Sequence, residues 1–228
     1  MIWKSWQELP DDMRCEAVRP YYDILASKRR DLMIKSVFDR LMAAILLVVL
    51  SPIFLLLAVW IKLDSEGPVF FRQERITQYG KSFRIYKFRT MVQNAEQLGA
   101  QVTSKGDMRV TSVGQALRKC RLDELPQLIN ILEGTMSFVG TRPEVPRYVA
   151  AYTDEMKATL LLPAGVTSVA SIRYKDEDTL LDAADDVEDC YIHNVLPAKK
   201  EWNLRSLKEF SFIGELKVMV ETVLAVIR

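Results

Sequence analysis

Two adjacent carboxylates, Asp123 and Glu124, are the residues of this sequence best suited to chemistry. Four cationic residues lie close to them in the chain: Arg118, Lys119, Arg121 and Arg142. One carboxylate can attack phosphorus or hold Mg²⁺, while its neighbour binds metal or moves a proton. Arginine gives bidentate contacts to phosphate and offsets its charge. The cluster therefore favours phosphoryl chemistry, without naming a reaction.

Helix capping is the competing interpretation of the same pair. An acidic residue at the start of a helix meets free N–H groups and the positive end of the helix dipole, for about 1 kcal/mol each. A glycosidase fits poorly, because its carboxylates must flank a sugar whereas neighbours on one helical turn point about 100° apart. On these two residues alone, capping and phosphoryl chemistry both stay open.

A helix is predicted directly after the pair. Leu125, Leu128, Ile129 and Leu132 fall at the spacing of one apolar stripe. Pro126 suits the first turn and Gly134 suits the end, so the two carboxylates are expected at the helix N-terminus. A second helix is indicated by NAEQLGAQ at 94–101.

Residues 67–91 predict two short strands around a turn at Tyr79 and Gly80. Phe83, Ile85, Lys87 and Arg89 alternate along the second strand and would share one face. That face begins apolar and ends basic. It either leads from the core into an anion site or is an ordinary solvated strand end.

An uncharged apolar run of 21 residues, LMAAILLVVLSPIFLLLAVWI, lies between Arg40 and Lys62. It exceeds the roughly 18 residues that indicate a membrane helix, although a buried core helix is an alternative. Pro52 deprives the carbonyl of Val48 of its helical partner, and the Ser51 hydroxyl can bond a nearby carbonyl. Both flanks are rich in Lys and Arg, which favours a re-entrant helix over a spanning one.

The composition of the whole chain limits the classes of protein to which it can belong. The chain has 228 residues, 49% hydrophobic and 27% charged, which is enough to bury a core. Its net charge of +1 gives no indication of nucleic acid binding. Three well-separated cysteines and the single His193 do not suggest a disulfide framework, a zinc site or a histidine-centred mechanism.

At the C-terminus, apolar residues at helical spacing predict an amphipathic helix that packs on the core or lies on a membrane surface: Ile213, Leu216, Val220, Val223 and Ile227.

From about Lys35 to its end, the chain resembles the small monotopic phosphoglycosyl transferases of the bacterial sugar transferase family. The resemblance is carried by KSVFDRLMAAILLVVLSPIFLLLAVWIKLDSEGPVFFRQERI, IYKFRTM, LRKCRLDELPQLINILEGTMSFVGTRP and PAGVTSVASIRY. It implies a mixed α/β fold in which a compact catalytic domain at 63–228 sits on a re-entrant helix at 35–62, broken at Ser51 and Pro52. Residues 1–34 would be an N-terminal extension.

The resemblance also implies a reaction. A sugar 1-phosphate would pass from a UDP-sugar to polyprenyl (undecaprenyl) phosphate, with release of UMP, at the cytoplasmic face of the bacterial inner membrane. Asp123 would be the nucleophile that forms an aspartyl-phosphate-sugar intermediate. Glu124 would be a second acid/base or metal-site group, and Mg²⁺ would bind at this pair.

The resemblance places basic residues at the substrates as well. Arg118 and Arg89 match positions near the bound phosphates, and Arg142 matches an element associated with the nucleotide. Lys87, on the same strand face as Arg89, joins them as a candidate phosphate-binding residue. Membrane lipid is an expected partner, and a homodimer is left open.

Three residues depart from the family pattern. Arg121 stands where Ser or Thr is common, Thr141 replaces a proline, and Ser168 replaces a glycine. These departures put nucleotide or sugar contacts in doubt more than the reaction. Two rival functions stay open, namely a transferase that acts in a single displacement and an inactive membrane-anchored interaction protein of the same fold.

Overall fold

A computed structural model describes residues 3–95, 107–174, 180–181, 184 and 186–227. Most of the helix predicted at 94–101 therefore lies outside the described residues. The longer helices are α1 (Arg19–Ser27), α2 (Arg29–Val49), α3 (Ser51–Asp64), α4 (Ser112–Lys119), α5 (Gln127–Glu133), α9 (Leu196–Lys208) and α10 (Phe212–Ile227). Three short helices are α6 (Pro146–Val149), α7 (Val169–Arg173) and α8 (Val187–Cys190). With the strands given below, the predicted mixed α/β class is confirmed.

Helices α2 and α3 form a bent hairpin whose axes differ by 63°. The bend lies at Leu50, immediately before Ser51 and Pro52. Because Pro52 has no N–H, the carbonyl of Val48 accepts instead from the Ser51 hydroxyl at 2.8 Å. The local prediction for this break is thus confirmed.

Much of the hairpin surface is apolar and exposed. Among the described residues, no single helix is long and apolar enough to cross a bilayer, whereas the bent pair meets that criterion together, by length and composition. Its exposed side chains include Leu41, Ile45, Val48, Val49, Leu55, Leu56, Val59 and Leu63. Lys35, Asp39 and Ala43 lie on the opposite, buried face.

Residues 3–34 contribute to the largest hydrophobic cluster of the described part of the chain. Val18, Leu25 and Leu32 are almost completely buried there, beside Leu161 and Leu196 from the rest of the chain. The segment forms two 3₁₀ turns and α1. This segment contributes to the main core through its apolar side chains.

Two small sheets frame the site. Strands β1 (Phe70–Ile76) and β2 (Ser82–Phe88) are antiparallel, and β3 (Met136–Val139) and β4 (Ala164–Thr167) are parallel. The predicted turn between the first two strands is confirmed. However, β2 ends at Phe88, which is buried, so Arg89 does not continue the predicted alternating face.

The helix after the carboxylate pair begins later than predicted. Pro126 is its N-cap, and Asp123 and Glu124 belong to a separate 3₁₀ turn, Leu122–Glu124. The predicted apolar stripe is wrong at Leu132, which is 45% exposed. Asn130 is buried instead, since its side chain accepts from the N–H of Tyr86 at 2.8 Å and so bonds to β2. Gly134 ends the helix with φ 81°, as predicted.

The C-terminal helix α10 leaves its apolar stripe exposed. Ile213, Val220 and Val223 are 79%, 60% and 58% exposed. On the inner side, the carboxylate of Glu215 forms a salt bridge with Lys35 of α2. This contact holds helix α10 against the hairpin, and the outer face of the helix fits the membrane-surface alternative better than the core.

Candidate active site

The turn that carries the two carboxylates follows α4 through a left-handed residue. Arg121 has φ 55° and ψ 19° and reverses the chain between Lys119 and Leu122. The N–H of Glu124 then donates to the carbonyl of Arg121 at 3.4 Å, closing the turn. Asp123 and Glu124 are thereby presented side by side from a short, hydrogen-bonded segment.

The two carboxylates have different environments. Glu124 forms a salt bridge with Arg142 and accepts from Lys87 Nζ at 3.2 Å. The side chain of Asp123 has no hydrogen bond or salt bridge within the described part of the chain, although the residue is only 8% exposed. One member of the pair is held by two cations, and the other keeps its oxygens available.

Their pKa values shift in opposite directions. Burial raises the pKa of Asp123, and Lys87 opposes that shift. Burial also works to raise the pKa of Glu124, but Arg142 and Lys87 outweigh it and hold that pKa well below its usual range. Glu124 is thus a fixed anion at neutral pH. A carboxyl held this strongly ionised is a poor proton donor, which favours an electrostatic over an acid/base role.

Arg118 approaches the pair from α4. Its Nε donates to the hydroxyl of Thr90 at 2.9 Å. Gly114 allows this arrangement, because a Cβ at that position would lie 2.0 Å from the carbonyl oxygen of Thr90. Burial lowers the pKa of Arg118 while the charge of Asp123 acts in the opposite direction. Lys87, Arg118 and Arg142 are therefore brought together around the two carboxylates.

Arg89 is directed elsewhere. Its guanidinium donates to the carbonyl of Ser65 at 2.6 Å and to the Ser65 hydroxyl at 3.0 Å. It thus closes the C-terminal end of α3, next to Gly67. Because β2 stops one residue earlier, the side chain turns toward the hairpin, away from the expected phosphate-binding face.

A cavity of about 780 Å³ opens beside the turn. Its walls combine apolar side chains from the hairpin bend and α10 with cationic ones, the latter being Arg75, Lys119, Arg121, Arg142 and Lys199. Leu46 and Leu50 represent the apolar wall, and Glu124 lines the cavity directly. Asp123 is not among the lining residues, whereas its neighbour Glu124 is. A site of this composition suits a ligand that has both phosphate and hydrocarbon parts.

Several of these residues were not predicted from the sequence. Arg75 donates to the carbonyl of Pro143 at 3.2 Å, and Lys199 lies over the ring of Tyr191. Both come from segments far from Asp123 in the chain. The only local signal for Arg75 was its place on a predicted strand, and no such signal existed for Lys199.

Comparison with known protein families shows which family this sequence matches. The sequence profile described as "Bacterial sugar transferase" matches residues 30–228. This chain belongs to the bacterial sugar transferase family. The family resemblance inferred from the motifs is thus confirmed.

Curated relatives of this bacterial sugar transferase act on undecaprenyl phosphate, as their names state. The chain is 51% identical over 123 residues to a UDP-N-acetylgalactosamine-undecaprenyl-phosphate N-acetylgalactosaminephosphotransferase of Aeromonas hydrophila, covering 54% of this chain and 29% of the relative. It is 34% identical over 218 residues to a UDP-glucose:undecaprenyl-phosphate glucose-1-phosphate transferase of Escherichia coli, covering 93% and 44%. A Caulobacter vibrioides protein with the latter name is 42% identical over 142 residues, covering 61% and 53%. The chain spans between 29% and 53% of the length of these relatives.

The two carboxylates of the transferase differ in whether they can hold a divalent cation. The described ranges contain no group of three or more acidic, histidine or cysteine residues that could hold a metal ion. Mg²⁺ commonly takes only one or two carboxylates and completes its shell with water and substrate phosphates. The unpaired carboxylate of Asp123 fits that requirement, whereas Glu124 is already committed to Arg142 and Lys87.

The single histidine stands apart from this site. The side chain of His193 is 68% exposed and lies 3.0 Å from the carboxylate of Asp189. It does not line the cavity beside the turn. The structure therefore does not bring His193 together with the two carboxylates.

Proposed function

We propose that this bacterial sugar transferase moves a sugar 1-phosphate from a UDP-sugar to undecaprenyl phosphate, with Asp123 as the nucleophile. The observation that carries the proposal is the contrast within the carboxylate pair. Asp123 is buried and unpaired within the described residues, while Glu124 is held by Arg142 and Lys87 beside a cavity that is cationic and apolar. The names of the relatives support the substrate classes.

The chemistry requires two displacements. A carboxylate oxygen of Asp123 forms a bond to the β-phosphorus, and the bond from that phosphorus to the α-phosphate oxygen breaks, so UMP leaves. A phosphate oxygen of the lipid then attacks the same phosphorus and frees the carboxylate. The product carries the sugar on a diphosphate-linked lipid. Atoms and charges balance without an oxidant or reductant.

The residues of the chain lower the barrier by placing positive charge at the reacting phosphates. An anionic nucleophile approaches an anionic phosphate only where cations offset the repulsion. Arg118 lies close enough to interact with Asp123, and Lys87 is shared between the two carboxylates electrostatically. Mg²⁺, held by Asp123 with the substrate phosphates, would supply further charge neutralisation.

Glu124 is proposed as a positioning residue. Its carboxylate fixes the guanidinium of Arg142 and the ammonium of Lys87 at one edge of the site. Two cations held in place before substrate arrives need no reorganisation during the reaction, which makes them more effective than mobile ones. This role differs from the acid/base or metal-site role that the family resemblance implies for Glu124.

The exposed apolar surfaces support the proposed membrane arrangement. The α2–α3 hairpin would enter the cytoplasmic leaflet of the bacterial inner membrane and return at Leu50, with both charged flanks on one side. The exposed stripe of α10 would lie on the same surface. The UDP-sugar then arrives from water while the prenyl chain stays in lipid. The cavity is bounded by the bend and α10, where these two substrates can meet.

Turnover of a panel of UDP-sugars tests the proposal. Purified protein with Mg²⁺ and undecaprenyl phosphate should release UMP from at least one donor, and Asp123→Ala should release none. If no donor reacts with folded, membrane-bound protein, the catalytic proposal fails and the inactive interaction protein becomes the better account. A single displacement would instead give UMP only when the lipid acceptor is present.

A further inference from the structure

Among the described residues, five cations line the cavity, and they differ in how many of their hydrogen-bonding groups already have partners. Arg142 is paired with Glu124. Arg75 donates to the carbonyl of Pro143 and to the side chain of Gln73, at 3.2 and 2.6 Å. Lys199 lies over the Tyr191 ring, 5.5 Å from its centre. Each of these three therefore has part of its bonding capacity committed within the protein.

The two remaining cations, Lys119 and Arg121, have no hydrogen bond or salt bridge from their side chains in the described ranges. Both are exposed at the cavity. Arg121 is the closer of the two to the reacting pair in the chain. It also contributes to the lowered pKa of Glu124, which indicates that its charge is felt at the site.

The backbone of Arg121 adds an independent observation. Its φ of 55° lies in the left-handed region, which costs a residue with a Cβ roughly 1–2 kcal/mol compared with the right-handed one. Gly or Asn would occupy this position more easily. No hydrogen bond or salt bridge of the Arg121 side chain within the described residues offsets that cost. Strain of this kind next to an active site is a reason to look for a functional contact.

We propose that Arg121 is a phosphate-binding residue that determines how tightly this transferase holds its substrate. The inference rests on the proposed function, since it assigns the guanidinium to a substrate phosphate next to Asp123. Arginine is always charged at physiological pH and can contact two phosphate oxygens at once. The phosphate belongs either to the nucleotide diphosphate or to the lipid acceptor, which share this chemistry.

Binding measurements on the full chain in detergent micelles separate the two sources. The probes are UDP with Mg²⁺ and a short-chain prenyl phosphate. The variants are Arg121→Ser, which removes the charge, Arg121→Lys, which keeps it, and Arg84→Ser as the matched control. Arg84 is an exposed arginine of β2 that does not line the cavity.

Arg121→Ser should raise the Kd of one probe by about ten- to a hundredfold, the range expected for losing a charge-assisted hydrogen bond. Arg121→Lys should recover most of that loss, and Arg84→Ser should bind both probes as the wild type does. Loss confined to UDP assigns the contact to the donor, and loss confined to prenyl phosphate assigns it to the acceptor. Wild-type affinity of Arg121→Ser for both probes would overturn the proposal and leave Arg121 as a solvated surface side chain.

The variant Arg121→Gly distinguishes the effect of losing the side-chain charge from an effect on folding. Glycine relieves the left-handed strain, so its Tm should equal or exceed that of the wild type, while its affinity falls as for Arg121→Ser. Wild-type affinity in this variant would also contradict the proposal. Because these readouts are binding and melting, they remain decisive even if the protein transfers no sugar, and failure of the proposed function is seen separately as absent turnover.

Discussion

Arg142 and Glu124 are 18 residues apart in the chain and joined by a salt bridge beside the active-site cavity, where Arg142 Nη1 donates to Glu124 Oε2 at 3.3 Å. Lys87 reaches the same carboxylate from β2. This three-residue cluster connects the second strand, the turn with Asp123 and the loop after β3. It explains why Glu124 is ionised and bound to two cations. The neighbouring carboxylate of Asp123 has no such partner in the described residues and is available for chemistry.

Asp123→Asn should abolish turnover without unfolding the protein. The amide cannot act as the nucleophile, so the rate should fall by at least about a thousandfold, as for removal of a group on which the chemical step depends. Because burial raises the pKa of Asp123, its charged form is disfavoured in the fold, and the neutral amide should leave the free energy of unfolding unchanged or higher. UMP release and urea unfolding measure the two effects. The matched control is Glu133→Gln on the exposed side of α5, which should behave as wild type.

Glu124→Gln should lower both stability and turnover. The change leaves Arg142 and Lys87 without their shared anion, which costs on the order of 1–3 kcal/mol. Urea unfolding at neutral pH measures this loss. Unchanged stability together with unchanged turnover would contradict the positioning role.

The ion pairs of Glu124 should make the stability of the protein depend on pH in the acid range. The folded-state pKa of Glu124 is below its unfolded value, so its contribution to stability is fully present above about pH 4.3 and is lost as the pH falls through the lower folded-state pKa. The wild type should therefore lose more stability than Glu124→Gln between pH 5 and pH 3. Equal losses in the two proteins would show that this carboxylate is not held ionised by its partners.

Glu215 should produce the opposite pH dependence. Burial raises its pKa to about 7, with Lys35 acting against the shift and Asp39 adding to it. The folded state then binds more protons than the unfolded state between the ordinary glutamate pKa and pH 7, so the contribution of Glu215 falls as the pH rises through that window. Glu215→Gln should lose less stability than the wild type between pH 5 and pH 7.5, as measured by urea unfolding. An identical pH profile in the two proteins would contradict this.

The hairpin bend should depend on Ser51 and Pro52 together. With alanine at both positions, the N–H of residue 52 can again donate to the carbonyl of Val48, and α2 and α3 can join in one straighter helix. A cysteine probe at Ser65, in a chain without its native cysteines, should lose its reactivity toward a reagent on the cytoplasmic side. Leu50→Ala, at the bend but without effect on backbone bonding, is the control and should keep the probe reactive. Full reactivity in the double variant would argue against a re-entrant hairpin held by these two residues.

The sequence predicted best the features that depend on interactions between residues close together in the chain. The missing N–H of Pro52, the hydroxyl of Ser51 and the left-handed Gly134 each act within one helical turn, and all three predictions are confirmed. The placement of Asp123 and Glu124 was nearly right, and they lie in a 3₁₀ turn just before the predicted helix. Periodicity failed at Leu132 because a polar bond of Asn130 to β2 decides which face of the short helix is buried.

The remaining features depend on contacts between distant segments. Arg89 shares a period of two with Lys87, yet only Lys87 reaches Glu124, because the strand ends at Phe88. Similarly, the N-terminal residues join the main core through side chains such as Val18 and Leu25, in a cluster that also contains the distant Leu161 and Leu196. Neither outcome follows from spacing along the chain.

The most direct test of the central claim is the mass of the intact protein after one turnover without lipid acceptor. Wild-type protein, Mg²⁺ and a UDP-sugar that supports turnover should give about one UMP per active site and a protein heavier by one sugar phosphate, carried on Asp123. Asp123→Asn should give neither the UMP nor the added mass. Turnover with lipid acceptor, but with neither UMP nor added mass in its absence, would contradict the covalent account and establish a single displacement.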